Sequence, residues 1–77
     1  MNELLSRIHK VFKIVLRDDD IEITETTCSD DVNGWNSLQH INILAMLEEE
    51  FQIEFTADQI ASMESVGDML RVIKSLL

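Results

Sequence analysis

Residues 36–51 read NSLQHINILAMLEEEF. Ile43, Leu44, Leu47 and Phe51 fall on one stripe at helical spacing, so the segment is read as a helix from Ser37 to Phe51 with that stripe toward a core. Asn36 is a good N-cap, and Gln39 three residues on completes a variant capping box, a start signal worth roughly 1 kcal/mol. Leu38, Ile41 and Ala45 make a second stripe at i, i+3 and i+7. So short a chain cannot easily bury two stripes of one helix. The second either lies under a loop or stays exposed as a docking patch, with Glu48 and Glu49 as an acidic rim.

Downstream of this helix the pattern breaks in QIEF. Thr56 with Gln59, in TADQ, opens a short helix to about Ser62. Ser65 caps a last helix, with Asp68 placed near the positive end of its dipole. Its apolar stripe is Val66, Met69, Leu70, Ile73, Leu76 and Leu77, with Val72 off the line. Upstream, Leu4, Leu5, Ile8, Val11, Phe12 and Val15 predict a first helix over residues 3–16, whose basic residues fall between the apolar ones and face water. Between the first two helices, DDDIEITETTCSDDVNGW shows no sustained period. A connection of about 20 residues is long for a compact domain and must be functional or pinned. Ile21, Ile23, Val32 and Trp35 are the residues available to pin it.

The chain has no Pro and only two Gly, so it lacks the turn residues that β-hairpins use. The fold class expected is all-α: a small four-helix bundle of three longer helices and one short one, with a long loop between the first and second. Residues 1–77 are read as a single domain. No apolar run approaches the roughly 18 residues of a membrane span, and MNELLSRIHKVFK carries charges throughout, so neither a signal peptide nor an anchor is expected. Cys28 has no second cysteine to pair with, which fits a reducing, cytoplasmic setting and a packing role.

The net charge of −9 is unevenly spread. Arg7, Lys10, Lys13, Arg17, Arg71 and Lys74 are the basic residues, and 14 of the 15 acidic ones lie between Arg17 and Arg71. A middle of one sign disfavours nucleic acid and anionic membranes and favours partners that present Lys and Arg. Ser37 stands in the first turn of the second helix, where free N–H groups and the helix dipole favour a phosphate. A serine there could be a plain helix-start residue, a nucleophile or an attachment point.

GWNSLQHINILAMLEEEF, with the EEEF–QIEF–TADQI run that follows, resembles the signature of acyl carrier proteins. In that family a serine within Asp-Ser-Leu opens the second helix and carries 4′-phosphopantetheine. The likeness extends over the whole chain, in length, acidity, helix order and the long first loop. It implies that Ser37 holds the phosphopantetheine, that Asn36, Leu38, Ile41 and Ala45 dock partners, and that Glu48 and Glu49 pair with Arg and Lys on them. It further implies that Ile43, Leu47 and Ile60 line a groove for the acyl chain between the second and third helices. The partners implied are a phosphopantetheinyl transferase and acyl-activating and acyl-transferring enzymes with basic docking surfaces. The chain is expected to be a monomer, with no catalysis of its own and no metal.

The family's aspartate before the serine is Asn36 here. Asn caps a helix about as well as Asp, but a negative charge that helps the transferase recognise its substrate is gone. Trp35 is also untypical of the housekeeping fatty-acid carrier, and with Asn36 it points to a specialised pathway. An unmodified acidic adaptor is the alternative. A serine hydrolase would need Gly-x-Ser-x-Gly, which Gly34 does not complete. A calcium loop aligned on Gly34 places Asp31 and Asn33 well but ends on His40 in place of Glu. His9 and His40 have no ligand spacing and are read as solvent-facing or locally hydrogen-bonded.

Overall fold

The structure, a computed structural model, describes residues 3–77; residues 1 and 2, which the sequence reading placed in the same domain, lie outside them. Helix α1 spans Glu3–Leu16, α2 Ser37–Phe51, α3 Ala57–Ser62 and α4 Val66–Leu76, with a 3-10 turn at Ser29–Asp31. The bundle is the expected one. A single isolated β-bridge, between Cys28 and Ser65, is the extended pairing among the described residues.

Helices α2, α3 and α4 start where their caps stand. Asn36 Oδ1 accepts the Gln39 N–H at 2.9 Å, and Thr56 and Ser65 form reciprocal boxes with Gln59 and Asp68. The box expected at Asn36 is only half made: the Gln39 side chain accepts from Asn42 Nδ2 at 3.0 Å instead of turning back. With no glycine at either end, α1 and α2 stop on left-handed Arg17 (φ 53°) and Gln52 (φ 56°). The next N–H in each case reaches back to a carbonyl five residues earlier, Asp18 to Lys13 and Ile53 to Glu48, which closes a Schellman motif.

α1 packs against α2 and α4. Ile8, Val11 and Phe12 of α1 meet Ile43, Leu44, Leu47 and Phe51 of α2 and Val66, Met69, Leu70 and Ile73 of α4 in one core. Val72 is buried with them, while Leu76 and Leu77 are exposed, so the buried face of α4 takes in Val72 and stops short of the last two leucines. α3 buries none of its residues. Arg7 also departs from expectation. It does not face water freely: its Nε donates to Glu50 Oε2 at 2.9 Å and its Nη2 to the Glu50 carbonyl at 2.8 Å, and its guanidinium sits 4.2 Å from the Phe51 ring centroid.

The long loop is pinned, as its length required. Ile21, Ile23 and Trp35 are buried and Val32 half-buried. Polar contacts complete the attachment. The Val66 and Gly67 N–H groups, orphan donors at the start of α4, are taken by the carbonyls of Thr27 (2.9 Å) and Glu25 (2.7 Å). His9 Nε2 donates to the Ile21 carbonyl at 2.6 Å. This anchoring sets the loop opposite the start of α2.

Candidate functional site

The approach to α2 is a tight turn. The Trp35 N–H bonds back to the Val32 carbonyl at 3.4 Å, with Gly34 at φ +88° as the third turn residue, a position that calls for glycine. The turn drives Trp35 inward and Ser37 outward. Trp35 is 4% exposed and meets Phe12 of α1 edge-on at 4.9 Å between ring centroids. Its indole N–H, which needs an acceptor once buried, donates to His40 Nδ1 at 3.0 Å.

Ser37 is the first residue of α2 and is exposed. Its Oγ makes no hydrogen bond among the described residues. Asn36 has already satisfied the Gln39 N–H, so the N–H groups of Ser37 and Leu38 are the helix donors left unpaired beside that oxygen. The hydroxyl opens on a cleft of about 600 Å³. Trp35, Asn36 and His40 form its near wall, Cys28, Ser29 and Asp30 of the pinned loop the far one, and Met63 and Glu64 close it from the α3–α4 link. An accessible nucleophilic oxygen, unpaired amide donors and a concave space therefore coincide. These are what a phosphodiester at this serine needs.

The other expected site residues are placed as follows. Leu38 and Ile41 are 69% and 62% exposed, and Ala45 is exposed on the same stripe, so the loop does not cover them. Glu49 is exposed, whereas Glu48 is half-buried and its Oε2 accepts the Phe55 N–H at 2.8 Å. Ala45, Glu48 and Glu49 border a second, shallow concavity of about 820 Å³. Ile43 and Leu47 have no exposed surface, while Ile60 is 41% exposed. His40 enters the site as a residue that sequence reasoning left outside it. The available signal was Trp35, since a buried indole must find an acceptor and His40 is the polar residue one turn into the helix.

Residues 32–73 match the family described as the phosphopantetheine attachment site. The chain is similar to the acyl carrier protein of Phenylobacterium zucineum (strain HLK1), at 31% identity over 77 residues, covering 100% of this chain and 98% of that one. It is similar also to the acyl carrier protein of Caulobacter vibrioides (strain NA1000 / CB15N), at 32% identity over 73 residues, 95% of this chain and 94% of that one. Its fold superposes on the solution structure of holo acyl carrier protein from Geobacter metallireducens with a TM-score of 0.89 and 28% identity, covering 97% of this chain and 86% of that chain. With the attachment-site match spanning more than half its length and curated relatives aligned almost end to end, the chain belongs to the acyl carrier protein family.

Proposed function

We propose that Ser37 is the residue through which this carrier holds 4′-phosphopantetheine, on the observation that its Oγ is exposed and unbonded in the first turn of α2. By likeness to the family, the modifying phosphopantetheinyl transferase removes the proton of that oxygen, with coenzyme A as donor. Asn36 holds the helix start open, and the unpaired N–H groups of Ser37 and Leu38 stabilise negative charge at the attached phosphorus. The bound group supplies a terminal thiol on which acyl chains are held as thioesters. The carrier does no catalysis of its own. Its partners' chemistry becomes a matter of recognising one protein surface at high effective concentration.

That surface is the exposed stripe of α2. Leu38, Ile41 and Ala45 offer apolar contact, and Glu49, with the outer face of Glu48, offers charge to basic acyl-activating and acyl-transferring enzymes. Such charge-steered contact gives fast, reversible docking. Ile43, Leu47 and Ile60 flank the space between α2 and α3 that receives the acyl chain; Ile43 and Leu47 are sealed in the core, so that space opens as the cargo enters. Residues 1–77 act as one unit. No helix among the described residues is long and apolar enough to cross a membrane, and a monomer in the cytoplasm suits the role.

Intact mass after incubation with coenzyme A, Mg²⁺ and a broad-specificity transferase tests the assignment. A gain of one phosphopantetheine, abolished in Ser37→Ala, is the expected result. No gain with any transferase, including those of the source organism, overturns it and returns the chain to an unmodified adaptor.

A further inference from the structure

Trp35 and His40 lie five residues apart, and their bond decides which ring nitrogen of His40 carries a proton. An indole N–H can only donate, so His40 Nδ1, 3.0 Å from Trp35 Nε1, presents a lone pair. In a neutral imidazole the other nitrogen then bears the hydrogen. The two ring planes lie within 17° of parallel with their centroids 5.9 Å apart, so the imidazole sits beside the edge of the indole, where this bond holds it. Trp35 is itself wedged against Phe12. The Nε2–H is thus a donor of fixed tautomer on a rigid support.

That donor has no partner. Nε2 makes no hydrogen bond among the described residues, and it is not a buried unpaired atom, so it is open to solvent on a residue that lines the cleft. Ser37 and His40 are the first and fourth residues of α2 and share one face, with Cβ atoms about 5–6 Å apart. Helical side chains lean toward the N-terminus, which carries the imidazole back over the first turn. Both residues line the same cleft. Asp30 and Glu64 line it too, and neither bonds His40. An anion held among these carboxylates needs a donor that they do not neutralise.

We propose that His40 is a phosphate-positioning residue: in the modified protein its Nε2–H donates to an oxygen of the phosphodiester on Ser37, and Trp35 holds the imidazole in the tautomer that can do so. This rests on Ser37 being the attachment residue. The arm then leaves the surface from a fixed root, with one oxygen bound by His40 and another by the free helix N–H groups.

The test uses the full chain before and after modification. Long-range ¹H–¹⁵N spectra of the apo protein should show Nδ1 as the unprotonated nitrogen. On modification the Nε2 resonance should shift, and the ³¹P resonance of wild-type holo protein should differ from that of holo His40→Phe, which keeps an aromatic ring at this position but has no donor. Trp35→Phe should let both tautomers appear at His40 and move the ³¹P resonance toward its position in His40→Phe. An Nε2 resonance unmoved between apo and holo wild type overturns the proposal, and that comparison stands even where a variant fails to fold. An identical ³¹P resonance in wild type and His40→Phe overturns it as well. Both negatives leave the attachment intact by mass, whereas absence of any mass gain removes the attachment reading and this one together.

Discussion

The Gly67 N–H donates to the Glu25 carbonyl at 2.7 Å, and that same oxygen lies 2.7 Å from where a Cβ on Gly67 would stand. The first turn of α4 and the long loop are thus in backbone contact at a point that admits no side chain. The loop carries the far wall of the Ser37 cleft, so this contact places half of the site.

Gly67→Ala should therefore destabilise the protein, although alanine is the better helix former by about 1 kcal/mol. The loop backbone must move, and overpacking of this kind costs about 1–3 kcal/mol. Urea denaturation should show a net loss, and amide exchange at positions 66 and 67 should accelerate before exchange in the core of α1. Gly34→Ala meets no atom within 4 Å, yet at φ +88° it should cost about 1–2 kcal/mol through backbone strain alone.

Asn36 separates capping from recognition. Asn36→Ala should lower stability by about 1 kcal/mol, because the Gln39 N–H loses its acceptor, while Asn36→Asp should change stability by only a few tenths of a kcal/mol. The aspartate variant restores the family's charge beside Ser37. Its modification by a broad-specificity transferase, followed by intact mass over time, should be faster than that of wild type, and an unchanged or slower rate would show that the charge is immaterial here.

Arg7 joins α1 to α2 through three contacts at once: the Glu50 carboxylate, the Glu50 carbonyl and the Phe51 ring. Lysine keeps the charge but lacks the planar fork. Arg7→Lys should cost about 0.5–1 kcal/mol, the ion pair itself counting for little at a half-exposed position. The loss should persist in high salt, since the carbonyl and ring contacts are not screened as the carboxylate contact is.

Asp68 should contribute a measurable acid limb. The Glu64 N–H, then the Arg71 guanidinium and the Ser65 N–H, hold its carboxyl below the ordinary value of 3.8, against a smaller opposing effect of burial. A carboxyl lowered on folding adds stability that is complete above its unfolded pKa and lost as pH falls through its folded one. The difference in unfolding free energy between wild type and Asp68→Asn should be flat from neutrality to about pH 5 and shrink below 3.8. A difference that grows on acidification would contradict the capping geometry.

The two faces of α2 should behave oppositely. Leu38→Ala and Ile41→Ala remove exposed groups and should leave the stability within about 0.5 kcal/mol, while weakening transfer to and from partner enzymes. Ile43→Ala and Leu47→Ala empty fully buried positions and should cost about 2–5 kcal/mol. Thermal unfolding alongside an acyl-loading assay distinguishes them.

The helices, their starting caps and the core stripes were legible in the chain because each depends on neighbours three or four residues away. The same local logic put Ser37 at a helix start and left Leu38 and Ile41 outside the buried stripe. The helix ends at Leu16, Phe51 and Ser62 also fell where the apolar pattern stopped, but the left-handed residues that close the first two, Arg17 and Gln52, carry no glycine to announce them. The half-made box at Asn36 was not legible either. A side chain free to choose between a backbone N–H and a neighbour's amide leaves no signature in the spacing.

Sequence alone determined that the chain is a four-helix acidic bundle with an accessible serine at the tip of its second helix. Only the tertiary structure decided what surrounds that serine. Arg7 and Glu50 are 43 residues apart, and Glu25 and Gly67 are almost as remote. Such pairs meet through the packing of whole helices, and no periodicity along the chain encodes them. The cleft beside Ser37 is a product of that packing, and so is the orientation of His40, which follows from a tryptophan buried against another helix.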